Sequence, residues 1–471
     1  MHTITKHYID GHLVDSHGRE IMDLTNPTNR ELIGQVTLGD EEDAREAIAA
    51  AKRAFSAFGQ STKAERSELL LRLHKAVSAR IEDLTAAMVE EYGGVVQFAA
   101  PIVQSGATAF LAAEKALQEL PLMRTWGKTT VTLEPVGVAG LITPWNANTL
   151  FLSAKLASAV AAGCTVIMKP SELSAQQTQV WRECIQEARL PKGVCNIVIG
   201  RGEVVGAEFT RNPDVSKISF TGSLAVGKTI MRDGAATLKR VTLELGGKSP
   251  TILLDDADLS SAIPTALIAA FLNSGQACAA GTRLLVPNSR FHEVKQAIVE
   301  AMAAFPVGDP ADPKTAVGPM VTQRQYERVQ SYIRKGIEEG AQVLVGGEGH
   351  PPGLQAGYFV KPTVFVNVRN DMTIAREEIF GPVLSVITYE TEEDALRVAN
   401  DTEFGLHAFV CGTDLPRARR VASRILAGRV NINGMLDDPQ APFGGFKHSG
   451  VGREFGTFGI EAFLEPRAIL E

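Results

Sequence analysis

The chain has 471 residues, more than one ordinary hydrophobic core takes in, so two or more domains are expected. Hydrophobic residues make up 45% and charged residues 21%, an ordinary globular composition. The net charge of -7, with no basic block, excludes nucleic acid and an anionic membrane as expected partners.

The first residues, MHTITKHYIDGHLVDSHG, are polar and lack the apolar stretch of a secretory signal. The longest apolar run, around Leu150 to Cys164, contains Lys155 and several serines and is too short and too polar to span a bilayer. A soluble, cytoplasmic protein is expected. The five cysteines are odd in number and include no CxxC, so neither a disulfide framework nor a zinc site is expected. The nine histidines include no HExxH pair, and no metal is expected.

Residues 8–36 read as short strands joined by turns. Residues 41–58 place Ala44, Ala47, Ile48, Ala51 and Phe55 on one helical face, with Asp40 as N-cap. Residues 64–92 continue the helical period through Leu69, Leu73, Val77, Ile81, Leu84 and Met88, and a further helix covers 98–119. From about residue 136 short apolar strands alternate with helices: VAGLI (138–142), TVIMK (165–169), CNIVI (195–199) and KISF (217–220). A second series follows with TILLD, RLLVP (283–287), QVLV (342–345), LSVIT (384–388) and AFVCG (408–412). The Gly/Pro-rich stretch 346–358 reads as a surface excursion. Alternation of this kind predicts doubly wound parallel sheets in two α/β domains, joined near 246–250.

Five short motifs can carry chemistry. The turn Phe220-Thr221-Gly222-Ser223 closes a strand and opens a helix, a site for an anion on backbone N–H groups, and Gly227 follows it. A plain connection reads the same way. Lys169-Pro170-Ser171-Glu172 follows the strand TVIMK, where open α/β sheets bind ligands; an acidic residue there can bond a ribose diol, or merely cap a helix. Cys278 lies in the small-residue loop Asn273–Gly281, accessible as a core cysteine is not, so it is a candidate thiolate nucleophile; a structural cysteine is the alternative. Glu244, before Gly246 and Gly247, is a candidate general base or a surface glutamate before a turn. Asn146, in Pro144-Trp145-Asn146, can donate to a developing oxyanion or simply occupy a turn.

Together and in this order these motifs resemble the aldehyde dehydrogenase superfamily, of the NAD(P)-dependent, hydrolytic type. Glu377-Glu378-Ile379-Phe380-Gly381-Pro382, Pro442-Phe443-Gly444-Gly445-Phe446-Lys447 and Ser449-Gly450-Val451-Gly452-Arg453-Glu454 extend the resemblance over about residues 8–467. It implies Cys278 as nucleophile, Asn146 with the Cys278 backbone N–H as oxyanion hole, Glu244 as water-activating base and Lys155 in a proton relay. It implies NAD as cofactor, with Lys169 and Glu172 at the adenosine ribose, Trp145, Gly222, Ser223 and Gly227 around the pyrophosphate, Glu378 on the nicotinamide ribose and Phe380 beside the nicotinamide. An aldehyde substrate is implied, lined by Ala147, Phe151, Asp437 and Phe443. Two competing readings are a coenzyme A-acylating dehydrogenase, whose members typically lack a glutamate at the position of Glu244, and a catalytically silent binding or structural relative.

The same resemblance implies a coenzyme-binding domain (1–116, 137–246 and a return over 449–462) and a catalytic domain (247–448). It also implies a β oligomerisation flap (117–136, with the strand 463–471), making a homodimer or homotetramer. The sequence departs from the common pattern at Ala147, Asn148 and Ala154, where many members carry bulk, and in the form of Glu91-Tyr92-Gly93-Gly94. Those departures, with two carboxylates and no base in Met435–Gln440, predict a wide, locally acidic funnel for bulky neutral or cationic aldehydes.

Overall fold

The computed structural model describes residues 2–470; Met1 and Glu471, which end the expected ranges 1–116 and 463–471, lie outside the described residues. The first large sheet has five parallel central strands, in spatial order Arg240–Glu244, Lys217–Thr221, Val138–Ile142, Thr165–Lys169 and Cys195–Ile197. Lys6–Ile9 and His12–Asp15 extend one edge antiparallel, and Gly450–Val451 the other. Every residue of Val138–Ile142, Thr165–Lys169 and Lys217–Thr221 is buried, because helices cover both faces. That is why these strands read as short continuous runs and not as alternation.

The second large sheet runs Gln342–Val345, Thr363–Val366, Val383–Tyr389, Arg283–Pro287, Pro250–Leu253, His407–Cys411, Arg429–Ile432, parallel except for its first strand. A small antiparallel sheet joins Met123–Trp126, Thr129–Pro135 and Leu464–Ile469. The architecture is thus two mainly parallel α/β sheets and a β flap; a further small sheet of His2–Ile4, Leu32–Leu38 and Glu20–Thr25 lies near the N-terminus.

Several elements differ from expectation. The helical period over 64–92 covers two helices, Lys63–Ser78 and Ile81–Tyr92, which break at Ala79-Arg80 without any Gly or Pro. Residues 117–119 belong to the helix Val96–Glu119 rather than to the flap. CNIVI is a strand only through Ile197. Thr363–Val366 and Arg429–Ile432 are strands that the sequence reading passes over. Val96–Glu119 is the one described helix long and apolar enough to cross a membrane, yet its Ala99, Val103, Phe110 and Leu117 are buried in the core against Lys63–Ser78 and Asn148–Ala162.

Candidate active site

Parallel strands end on one side of a sheet, so the loops after them meet there. The strand Val138–Ile142 delivers Trp145 and Asn146, Lys217–Thr221 delivers Gly222 and Ser223, and Arg240–Glu244 ends on Glu244 itself. Opposite them the helix Leu259–Phe271 gives way to a tight turn in which Asn273, Ser274 and Gly275 are all left-handed, at φ 54°, 58° and 72°. A Cβ on Gly275 would collide with the Gly381 backbone, so only glycine serves there. The turn lifts Gln276-Ala277-Cys278 across to the first sheet.

That crossing is held by side chains. Asn273 Nδ2 donates to the Asn146 carbonyl at 3.0 Å, and Asn146 Nδ2 donates to the Gln276 carbonyl at 2.9 Å. Gln276 bonds Tyr92 Oη and the Pro319 carbonyl, each at 3.2 Å, and accepts from the Val321 N–H at 3.0 Å. A side-chain amide has two N–H donors, so one anchors Asn146 to the Cys278 loop and the other remains for a ligand.

Trp145, Asn146, Glu244 and Cys278 line one cleft of about 780 Å3 with Phe151, Gly222, Ser223, Glu378 and Phe380. A second cleft of about 770 Å3, bordered by Arg80, Glu90, Gln176 and Asp309, contains none of the predicted residues. Cys278 is half-buried; the other four cysteines are buried. Its thiol is pushed up to about 12, first by burial and then by the carboxyls of Glu378 and Glu244. Glu244 is 2% exposed, and neither of its carboxyl oxygens has a hydrogen-bond partner. Burial, then the nearby charge of Glu454, holds it well above the ordinary carboxylate range, against Lys155, Arg453 and Arg429.

Lys155 lies outside the cleft lining, 2% exposed beneath it. Its Nζ donates to Ser219 Oγ at 2.9 Å and to the Glu454 carboxylate, which also accepts from Ser219 Oγ at 3.1 Å. Glu454 ends the motif Ser449–Glu454 with no role implied for it; it stands 210 positions from Glu244, and only the fold brings the two together.

Glu378 accepts from the Gly247 N–H at 3.2 Å, and burial raises its carboxyl to about 7. Its loop is fixed by Gln325 and Arg328, which also line the cleft and which sequence reasoning missed: Gln325 Nε2 donates to the Phe380 carbonyl at 2.7 Å and Arg328 Nη2 to that of Glu378 at 2.6 Å. Phe380 meets Trp145 edge-on with centroids 5.6 Å apart, and Trp145 in turn packs on Tyr92 at 5.2 Å.

Ser223 caps the helix Leu224–Gly234, accepting from the Val226 N–H. Gly227 is buried and does not line the cleft; its missing Cβ makes room for Leu245, 2.7 Å from where it would stand. Its glycine therefore serves helix–strand packing rather than ligand approach. Lys169 Nζ donates to Glu172 at 2.9 Å, and Arg201 lies 3.9 Å from the same carboxylate.

The substrate residues are less well gathered. Phe151 lines the cleft, whereas Ala147 is buried at the start of the helix Asn148–Ala162. Asp437 and Phe443 lie apart from it, around Arg429. Asp437 Oδ1 is 2.7 Å from Arg429 Nη1, so one of the two expected carboxylates is paired with a cation that its own segment does not supply, while Asp438 is exposed with no ion pair among the described residues.

The model of the aldehyde dehydrogenase family matches residues 13–469. A putative aldehyde dehydrogenase of Staphylococcus haemolyticus is 43% identical over 470 residues, 100% of this chain and 99% of that protein. The 3-succinoylsemialdehyde-pyridine dehydrogenase of a Pseudomonas species is 43% identical over 465 residues, 98% of each chain. Among solved structures, a cysteine-to-alanine variant of aldehyde dehydrogenase C from Pseudomonas syringae, complexed with NAD+ and octanal, superposes with a TM-score of 0.98 at 42% identity, covering 100% of this chain and 97% of that one. Betaine aldehyde dehydrogenase from Staphylococcus aureus, complexed with NAD+, does so at 0.96 and 35%, covering 99% and 94%.

Proposed function

The chain belongs to the aldehyde dehydrogenase family, and we propose that it oxidises a bulky, uncharged aldehyde to the carboxylic acid through a thioester on Cys278, with NAD as hydride acceptor. The observation that carries this reading is the convergence of Cys278, Asn146 and the unpartnered carboxyl of Glu244 on one cleft.

The residues fit the cofactor. The cleft runs past the capped helix N-terminus at Ser223 to the half-buried carboxyl of Glu378, and the aromatic face of Phe380 borders it. Lys169 and Glu172 would hold the adenosine ribose. Cys278 Sγ, having given its proton to solvent, adds as the thiolate to the aldehyde carbon, and the carbonyl oxygen becomes an oxyanion held by the free N–H of Asn146 and the Cys278 backbone N–H. Held in this cleft, NAD would supply the acceptor for the hydride that the thiohemiacetal loses as it becomes the thioester. Glu244 then takes a proton from water, the hydroxide attacks the thioester carbon, and the acid departs as Cys278 is restored. Lys155 and Glu454, joined behind Glu244, give that proton a path away.

We assign coenzyme binding to the first sheet, catalysis to the second and oligomer contact to the flap, where Met123, Trp126 and Leu470 are exposed. A homodimer or homotetramer in the cytoplasm follows from this reading. The retention of Glu244 favours hydrolysis over transfer to coenzyme A.

The cofactor preference is testable. Glu172 disfavours a 2′-phosphate, but Lys169 and Arg201 offset part of its charge. Like-charge repulsion of about 1 kcal/mol gives NAD roughly fivefold over NADP in kcat/KM, and Glu172→Gln is expected to narrow that gap. Equal efficiency of the wild type with both cofactors would place the carboxylate away from the ribose.

The small side chains of Ala147 and Ala154, at and on the helix that carries the cleft residue Phe151, support a bulky substrate, and Arg429, paired with Asp437, offers no open cation to an anionic one. The octanal held by the Pseudomonas syringae structure supports a neutral chain. An NADH-absorbance panel should show octanal favoured over succinate semialdehyde by about tenfold or more, because a carboxylate desolvated without a partner is costly. The rate should not depend on coenzyme A. Preference for succinate semialdehyde would overturn the substrate assignment, and strict dependence on coenzyme A the hydrolytic one.

A further inference from the structure

The segment between the edge strand Arg429–Ile432 and Gly444 contains no helix or strand, yet its end reaches the site. Its far end abuts the base: a Cβ on Gly444 would stand 2.6 Å from Glu244 Oε1. A segment without its own backbone ladder must be held by something else. Here the holder is Arg429, whose side chain is 13% exposed. Its Nε donates to the Pro442 carbonyl at 2.9 Å. Its Nη2 donates to the carbonyls of Ala441 at 2.6 Å and Asp438 at 3.1 Å, and its Nη1 to Asp437 Oδ1 at 2.7 Å. The guanidinium also lies over the rings of Phe443 and Phe455, at 5.2 and 5.8 Å from their centroids. Only a planar fork of fixed donors serves four acceptors and two ring faces together; an ammonium cannot.

The consequence reaches the chemistry through the backbone. Phe443 and Glu454 exchange two N–H to carbonyl bonds, both 2.8 Å. The carboxylate of Glu454 receives Lys155 and Ser219. The Glu244 carboxyl, having no hydrogen bond of its own, stands where the surrounding packing puts it.

We propose that Arg429 is a positioning residue for thioester hydrolysis, which clamps the 433–444 loop and, through Phe443 and Gly444, sets where Glu454, Lys155 and the Glu244 carboxyl stand. The proposal rests on the assignment of water activation to Glu244. Cys278 and Asn146 hang from the Gln276 network on the other side, so thiol addition and hydride loss do not depend on Arg429.

Arg429→Met keeps the bulk and removes every donor; Arg429→Lys keeps the charge and loses the fork. With octanal and NAD in a stopped-flow instrument, Arg429→Met should form about one NADH per site at a rate within twofold of wild type. It should then turn over at least tenfold more slowly, while amides of 433–444 exchange hydrogen faster. Arg429→Lys should lie between the two, and it decides the question alone if the methionine variant does not fold. Steady turnover within twofold of wild type, or burst and steady rates that fall together, would overturn the proposal. Wild-type enzyme that forms no NADH from any aldehyde, or a Glu244→Gln variant with undiminished turnover, would instead remove the reading beneath it.

Discussion

Cys278→Ala is expected to lower aldehyde oxidation by at least about a thousandfold and to leave NAD affinity within twofold of wild type. Cys278 is the one cysteine among the five that is not buried, and no second thiol lines the cleft to replace it. The substitution removes a single sulfur from the loop. The anchors of that loop, through Asn146, Asn273 and Gln276, do not involve the thiol and stay in place. Trp145 borders the cleft, so quenching of its emission by added NAD measures binding in the variant directly. The pH dependence has a definite sign. Because the thiol of the free enzyme is raised to about 12, the nucleophile is protonated at neutral pH, and the rate of thioester formation should rise toward alkaline pH. More than a tenth of wild-type turnover in the alanine variant would mean that another group attacks the aldehyde.

What the sequence made legible was whatever sits at a strand end. Glu244, Gly222, Lys169 and Asn146 each follow a short apolar run, and parallel topology then places them on one side of a sheet without further information. Cys278 was legible because small residues and glycines surround it. Partners that act from a distance were not. Glu454 reads as one more polar residue in a glycine-rich run until Gly450–Val451 pairs with the strand Arg240–Glu244 and brings it beneath Lys155. Arg429 lies in a strand that the sequence reading passes over, so the loop after it reads as acidic; the guanidinium that pairs with Asp437 comes from eight positions upstream. The break at Ala79-Arg80 was hidden for a similar reason. Val77, Ile81, Leu84 and Met88 keep the helical period across it, and no Gly or Pro marks the stop.

Glu244→Gln is expected to slow steady turnover by about a hundredfold or more while leaving the first NADH formed per site nearly unaffected. The change keeps the size of the side chain and removes its capacity to take a proton. In the proposed mechanism hydride loss from the thiohemiacetal does not use Glu244, so a burst of about one NADH per site should appear at close to the wild-type rate. Hydrolysis does use it, and the thioester should then accumulate on Cys278, where the mass of intact protein reports it. The environment of Glu244 adds a second, independent signature. Burial first, and then the charge of Glu454, keep its carboxyl protonated well above the ordinary range, with Lys155, Arg453 and Arg429 opposing. Only the ionised form accepts a proton from water, so the wild-type steady rate under deacylation-limited conditions must rise with pH as that group ionises. An amide has nothing to ionise, and the variant's residual rate should lose this limb. Equal loss of burst and steady rates would contradict the role assigned to Glu244. A pH limb that survives in the glutamine variant would move the base to another group in contact with the site, and Glu454, two hydrogen bonds deep beside Lys155 and Ser219, is the one the geometry offers.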